Sequence, residues 1–305
     1  MTEHEPAANG PAPARARLLL LLAVVIWGFT FVATKICLRH MTAVELMGLR
    51  LAIALPVLLA IVRLTRTPIR WFAHPRALLL GSGLIGVHFF IQINGLRYTS
   101  ATNTGWIIAV TPLVMALLAR GILGEPIRAR LIVGITVATA GILLLVSGGR
   151  LLDLAWLGSI GDWLILASAH TWALYTVAVR DLSRYEPPLA VTFLVLVPAT
   201  AATLSVMLLT TDWGRLLTFP LETWLALLFL GIFGMALAHW FWQQGVAVRG
   251  AAEAGMFLYL EPLATTALAV PYLHEPFGPI GMLGGLLVLG GVWWSQRPGP
   301  ATRGR

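Results

Sequence analysis

Glu261 and Pro262 stand together near the middle of an apolar run, where an ionisable side chain costs about 2.5 to 3.5 kcal/mol on insertion scales. Proline withholds a backbone amide, so the helix is loosened beside the carboxyl. A carboxyl at that depth suits a proton-coupling group; the other reading is a structural Glu hydrogen-bonded at a kink. Arg50 lies roughly two turns into another apolar run, with Glu45 near its outer mouth. It reads either as a receptor for an anionic substrate group or as half of an internal ion pair. His88 and Gln92 stand four residues apart and so share a helix face, and His239 with Gln243 repeats the spacing. Polar side chains in lipid-embedded helices face the bundle interior, which makes these two pairs candidate substrate contacts with Trp27 and Tyr175 as apolar walls. Trp106 and Tyr259 also lie deep and extend the aromatic set. The competing account is that each pair bonds a neighbouring helix and each aromatic fills the core.

Hydrolytic and metal chemistry find little footing. His88, His170 and His239 fall on separate runs with no carboxylate at ligand spacing, and neither an HExxH motif nor a Walker or dinucleotide fingerprint occurs. Cys37 is the only cysteine, which excludes an internal disulfide and a cysteine metal cluster. No catalytic residue, metal or cofactor is therefore assigned, although an intramembrane enzyme and a membrane receptor or scaffold remain as alternatives. The net charge of +8 is scattered in short clusters without a basic stripe, which argues against nucleic acid as a partner.

The elements that hold these side chains are set by composition. Of 305 residues 58% are hydrophobic and 11% charged, too few charges to clothe a water-facing surface. Apolar blocks of about 20 residues must be helices in lipid, because each segment has to satisfy its own backbone. Ten such spans are read: 18–37, 43–62, 77–96, 101–119, 131–147, 157–179, 189–210, 222–246, 252–272 and 278–295. The first is too long for a signal-peptide core and is kept as a span. Fifteen of the 21 basic residues fall in alternate segments beginning with the N-terminus, five in the others, and Arg50 inside a span. That asymmetry places both termini in the cytoplasm of a multi-pass protein of the cell membrane. Lys35 and Glu253, near helix ends, read as snorkelling side chains. Glu125 and Glu275, each before a proline, read as caps of helix starts.

The chain repeats itself at a shift of 150 residues: Gly81 with Gly231, Gly95 with Gly245, Gly105 with Gly255, Pro112 with Pro262, Glu125 with Glu275, Gly134 with Gly284 and Gly141 with Gly291. A weaker echo at 145 sets Trp27 over Trp172 and Lys35 over Arg180. Each unit then holds five helices, at 18–149 and 150–296, between a leader at 1–17 and a tail at 297–305. Five is odd, so the second unit enters the membrane from the opposite side. The expected fold is all-α, with ten transmembrane helices as two inverted five-helix repeats, an architecture in which two units rock around a midplane site. His239 and Gln243 are one residue off this register, at 151 from His88 and Gln92, which on a regular helix turns the second pair by about 100°.

Trp27-Gly28-Phe29-Thr30-Phe31, Leu49-Arg50, Leu123-Gly124-Glu125-Pro126, Tyr259-Leu260-Glu261-Pro262 and His274-Glu275-Pro276 occur in an order and duplication that resemble the EamA-type transporters of the drug/metabolite transporter superfamily. The resemblance implies a bundle that transports small metabolites such as amino acids, or drugs, by alternating access, with export the expected direction and proton coupling a further implication.

Overall fold

The computed structural model describes residues 13–70, 74–146, 158–273 and 278–297, and every regular element among them is helical. The first unit runs α1 (Pro13–Leu38), α2 (Ala43–Leu64), α3 (Pro75–Leu96), α4 (Ala101–Ile108), α5 (Thr111–Leu123) and α6 (Ala129–Val146). The second runs α7 (Ile160–Leu182), α8 (Pro188–Thr210), the short α9 (Trp213–Leu216), α10 (Leu221–Phe229), a π segment (Leu230–Leu237), α11 (Ala238–Arg249), α12 (Ala251–Gly255), a 3-10 turn (Met256–Leu260), α13 (Glu261–Leu273) and α14 (Pro279–Ser295). Six stretches are long and apolar enough to cross a bilayer: α1, α2, α3, α4 with α5, α8, and α10 through α11; α6 and α14 are shorter apolar helices. Their starts follow local chemistry. Thr42 and Glu45 close a reciprocal capping box on α2, and Ser159 with Asp162 does the same on α7, each satisfying amides that the first turn leaves open.

Three stretches are interrupted near their middles. Between α4 and α5, Pro112 cannot donate to the carbonyl of Ile108, and the Thr111 hydroxyl donates to it instead at 2.5 Å. Its repeat partner Pro262 follows the 3-10 turn, where the Leu258 carbonyl accepts from the amide of Glu261. The third interruption is the π segment, which has no proline. Lipid-exposed backbone does not tolerate such breaks, but backbone lining a cavity does.

The two units interlock reciprocally. A methyl on Gly141 would sit 2.6 Å from the Gly284 carbonyl oxygen, and one on Gly134 would sit 2.8 Å from that of Gly291. Gly134 and Gly284 are repeat partners, as are Gly141 and Gly291. Since Gly134 faces Gly291 while Gly141 faces Gly284, α6 and α14 run antiparallel with their backbones almost touching. Elsewhere Gly105 packs on Pro262 and Gly255 on Pro112, while Gly95 meets Ile165 and Gly245 meets Leu20. Each pair is the other with the units exchanged, as in an isologous interface. Ile165 and Leu20 are 145 apart, so packing reproduces the weaker sequence echo as well.

Candidate functional site

A cavity of about 40 Å³ lies where the interruptions meet. Ile108 and Thr111 reach it from the α4–α5 break, Leu230 and Gly234 from the π segment, and Leu258 and Glu261 from the 3-10 turn and the start of α13. α1 adds Trp27, Thr30 and Phe31, α2 adds Arg50, α3 adds His88, Phe89 and Gln92, and α7 adds Trp172. That volume holds a few waters and no metabolite.

Aromatic rings wall it. Trp27 meets Trp172 edge-on with centroids 5.0 Å apart and His239 at 5.1 Å, while His88 lies 5.1 Å from Trp172. The imidazoles are fixed by backbone carbonyls, His88 Nδ1 donating to Ser168 O and His239 Nδ1 to Gly234 O, both at 2.9 Å. With the proton on Nδ1, the Nε2 of a neutral ring is an acceptor. His239 Nε2 is buried with no partner among the described residues. Gly234 O also accepts from Trp27 Nε1 at 3.0 Å, so a carbonyl of the π segment holds two walls of the cavity. Both histidines reach this cavity although His239 is one residue off the repeat register, which is 150 at Gly231 within the π segment and again at Gly245 beyond it.

Charge is the unusual feature. The Arg50 guanidinium lies 3.8 Å over the Phe89 ring, and the residue is 5% exposed. Among the described residues it makes no ion pair, and its Nε has no hydrogen-bond partner. The expected alternative, an internal pair near Glu45, does not form: Glu45 accepts from Arg215 at 2.6 and 2.7 Å. Glu261 is likewise 5% exposed and lines the cavity with no salt-bridge partner among the described residues. A buried cation stacked on Phe89 and a carboxyl with no salt bridge among the described residues make a polarised, aromatic-walled site.

Trp27, Arg50, His88, Gln92, His239 and Glu261 thus come together as the sequence spacing suggests. Gln243 does not reach the lining; its Nε2 donates to the Tyr175 hydroxyl at 3.2 Å, and Tyr175 packs behind Trp172 at 5.2 Å. Tyr259 is buried against Thr139, their hydroxyls 2.8 Å apart, and Trp106 is buried outside the lining. Phe89 and Trp172 are the major walls that the sequence reading leaves out. Trp172 had a signal, since it is the repeat echo of Trp27; Phe89 had only its place beside His88. Glu125 caps a helix in the other unit, accepting from the amides of Ala251 and Ala252 at 3.1 Å each, with Arg180 at 3.7 Å. Gly250, at φ +80°, turns the chain so that this carboxylate fits against it. Glu275 lies outside the described residues.

The model of the EamA-like transporter family matches residues 14–147 and again 159–296. An uncharacterized transporter of Bacillus subtilis (strain 168), YyaM, is 31% identical over 69% of this chain and 70% of its own length. An uncharacterized transporter of Archaeoglobus fulgidus is 28% identical over 92% of this chain and 96% of its own. A Salmonella typhimurium protein named a probable amino-acid metabolite efflux pump is 27% identical over 90% and 92%. A crystal structure with 22% sequence identity superposes with a TM-score of 0.75, covering 92% of this chain and 97% of the other, and shares the fold. Two family matches, falling on two units that interlock by exchange, account for nearly all of the chain, and it belongs to the EamA-like transporter family.

Proposed function

We propose that the protein is a secondary transporter with ten spans arranged as two inverted five-helix units, moving small organic metabolites such as amino acids or drugs across the cell membrane by alternating access, in the direction of export. The observation that carries this reading is the convergence of three interrupted helices on one small cavity that holds Arg50 and Glu261, neither in a salt bridge among the described residues. Antiparallel packing of the repeat partners α6 and α14 supports the inversion. In this reading Arg50 receives an anionic group of the substrate. The Nε2 atoms of His88 and His239 accept from its donors, and Trp27 and Trp172 clasp its apolar part. Gln92 completes the lining, Tyr175 and Gln243 brace Trp172 from behind, and Trp106 and Tyr259 shape the second layer. Glu261 couples transport to protons. The names of the efflux-pump relatives support a metabolite cargo.

The test is flux in sealed proteoliposomes across a panel of amino acids and apolar drugs, with and without a pH gradient. Saturable flux of one class, accelerated by the gradient, is the expected outcome; no flux of any member under either condition would sink the proposal.

A further inference from the structure

At the end of the bundle where α1 and α6 begin and α11 and α14 finish, three guanidinium groups hold one carboxylate, and two further arginines, Arg17 and Arg297, lie at the same end. Glu253 accepts from Arg249 at 2.9 Å, Arg130 at 3.1 Å and Arg128 at 3.3 Å. Arg17 donates to the carbonyl of Gln296 at 3.2 Å, and Arg297 stacks on Trp293 at 3.6 Å. Glu253 neutralises one of the five charges. The Nε of Arg249 is buried without a partner. Like charges gathered this closely repel one another and are stable only with counter-charge.

The repeat shows that packing does not require them. Arg249, Glu253 and Arg17 correspond, at shifts of 150, 150 and 145, to Thr99, Asn103 and Asp162. At the opposite end these three form a compact network in which Asp162 accepts from Thr99 and Asn103, each at 2.6 Å. The matching positions are thus filled once by Thr99 and Asn103 donating to Asp162, and once by arginines on Glu253. The surroundings of the charged copy say what answers it. Trp293 is 60% and Trp294 43% exposed, as expected of side chains at the headgroup level. Leu286 and Leu289 of α14 and Leu18 and Leu22 of α1 are exposed as well.

We propose that this cluster binds the phosphodiester headgroup of an anionic phospholipid, with the acyl chains lying along α1 and α14. Exposed Trp and exposed leucines on these helices favour a lipid over free phosphate, because the latter needs neither. Arg128 and Arg297, the most open members, meet the phosphate oxygens, and Arg130 and Arg249 hold the cluster together through Glu253.

The probe is phosphatidylglycerol against phosphatidylcholine, added to the full-length protein in an uncharged detergent, with retained lipid counted by native mass spectrometry. Wild-type protein should retain phosphatidylglycerol preferentially, and the preference should fall roughly fivefold for each guanidinium removed, hence roughly 25-fold in Arg128→Gln/Arg297→Gln. Arg39→Gln, at the other end of α1, should leave it unchanged. Arg297→Gln alone, which breaks no ion pair, carries the test with a roughly fivefold loss if the double variant does not fold. Inorganic phosphate at equal concentration should not displace the lipid. Equal retention of both lipids by wild type, full preference in a folded Arg297→Gln variant, or displacement by inorganic phosphate would each overturn the assignment.

Discussion

Arg50 is the side chain that best separates binding from stability. A buried cation with no ion pair among the described residues is costly to hold, and replacing buried charge by an apolar group of similar volume is commonly neutral or stabilising. Arg50→Met should therefore keep or raise the thermal midpoint in detergent while lowering the apparent affinity for an anionic substrate at least about tenfold; a large fall in midpoint with unchanged affinity would make Arg50 structural. Glu261→Gln keeps the shape and removes the titration. It should retain substrate exchange and lose acceleration by a pH gradient, and a normal response would remove Glu261 from coupling. The two glutamines, alike in sequence, now part company. Gln243→Leu orphans the Tyr175 hydroxyl and should cost about 0.6 to 1.7 kcal/mol of stability, whereas Gln92→Leu should shift substrate affinity at nearly constant stability. Residue types and depths made Arg50, Glu261 and the histidines legible before any coordinates. The partner of Glu45 was not, because Arg215 lies 170 residues away and only the folded chain brings it near.

Helix interruptions were legible where they carry a chemical mark. Pro112 and Pro262 announce two of the three breaks, and the repeat pairs them. The π segment carries no such mark, and the repeat register of 150 runs through it unchanged from Gly231 to Gly245. The repeat singled out Gly134, Gly141, Gly284 and Gly291, though not that they bring α6 onto α14 or which glycine meets which. That pairing sets a test at the scale of the element. Gly141→Ala presses a methyl against the Gly284 backbone, which cannot step aside, and should cost about 1 to 3 kcal/mol by denaturation in detergent. Gly83→Ala, on a face with open space, should be neutral. Equal effects would mean that α6 and α14 do not touch as described.

For the whole molecule, the distribution of the basic residues is what sets the expected orientation, since an inverted repeat fits the bilayer either way round. In a Cys37→Ser background, single cysteines placed near Arg66 and Arg70 should resist an impermeant thiol reagent added to intact cells, and one at Arg215 should react. Strong labelling at Arg70 would reverse the orientation. Glu125 then acquires a kinetic meaning. Its carboxylate spans from the first unit to the amides that open α12 in the second, so a carrier that alternates as proposed must break both bonds each time it parts at that end. Bonds to a charged group are worth about 1.5 to 3 kcal/mol apiece. Two of them raise the barrier to parting by about 3 kcal/mol or more, a slowing of at least roughly hundredfold. The clasp thereby acts as an escapement: it makes the dwell in one state long and regular, and Glu125→Gln should shorten that dwell while leaving the cavity's own affinity untouched.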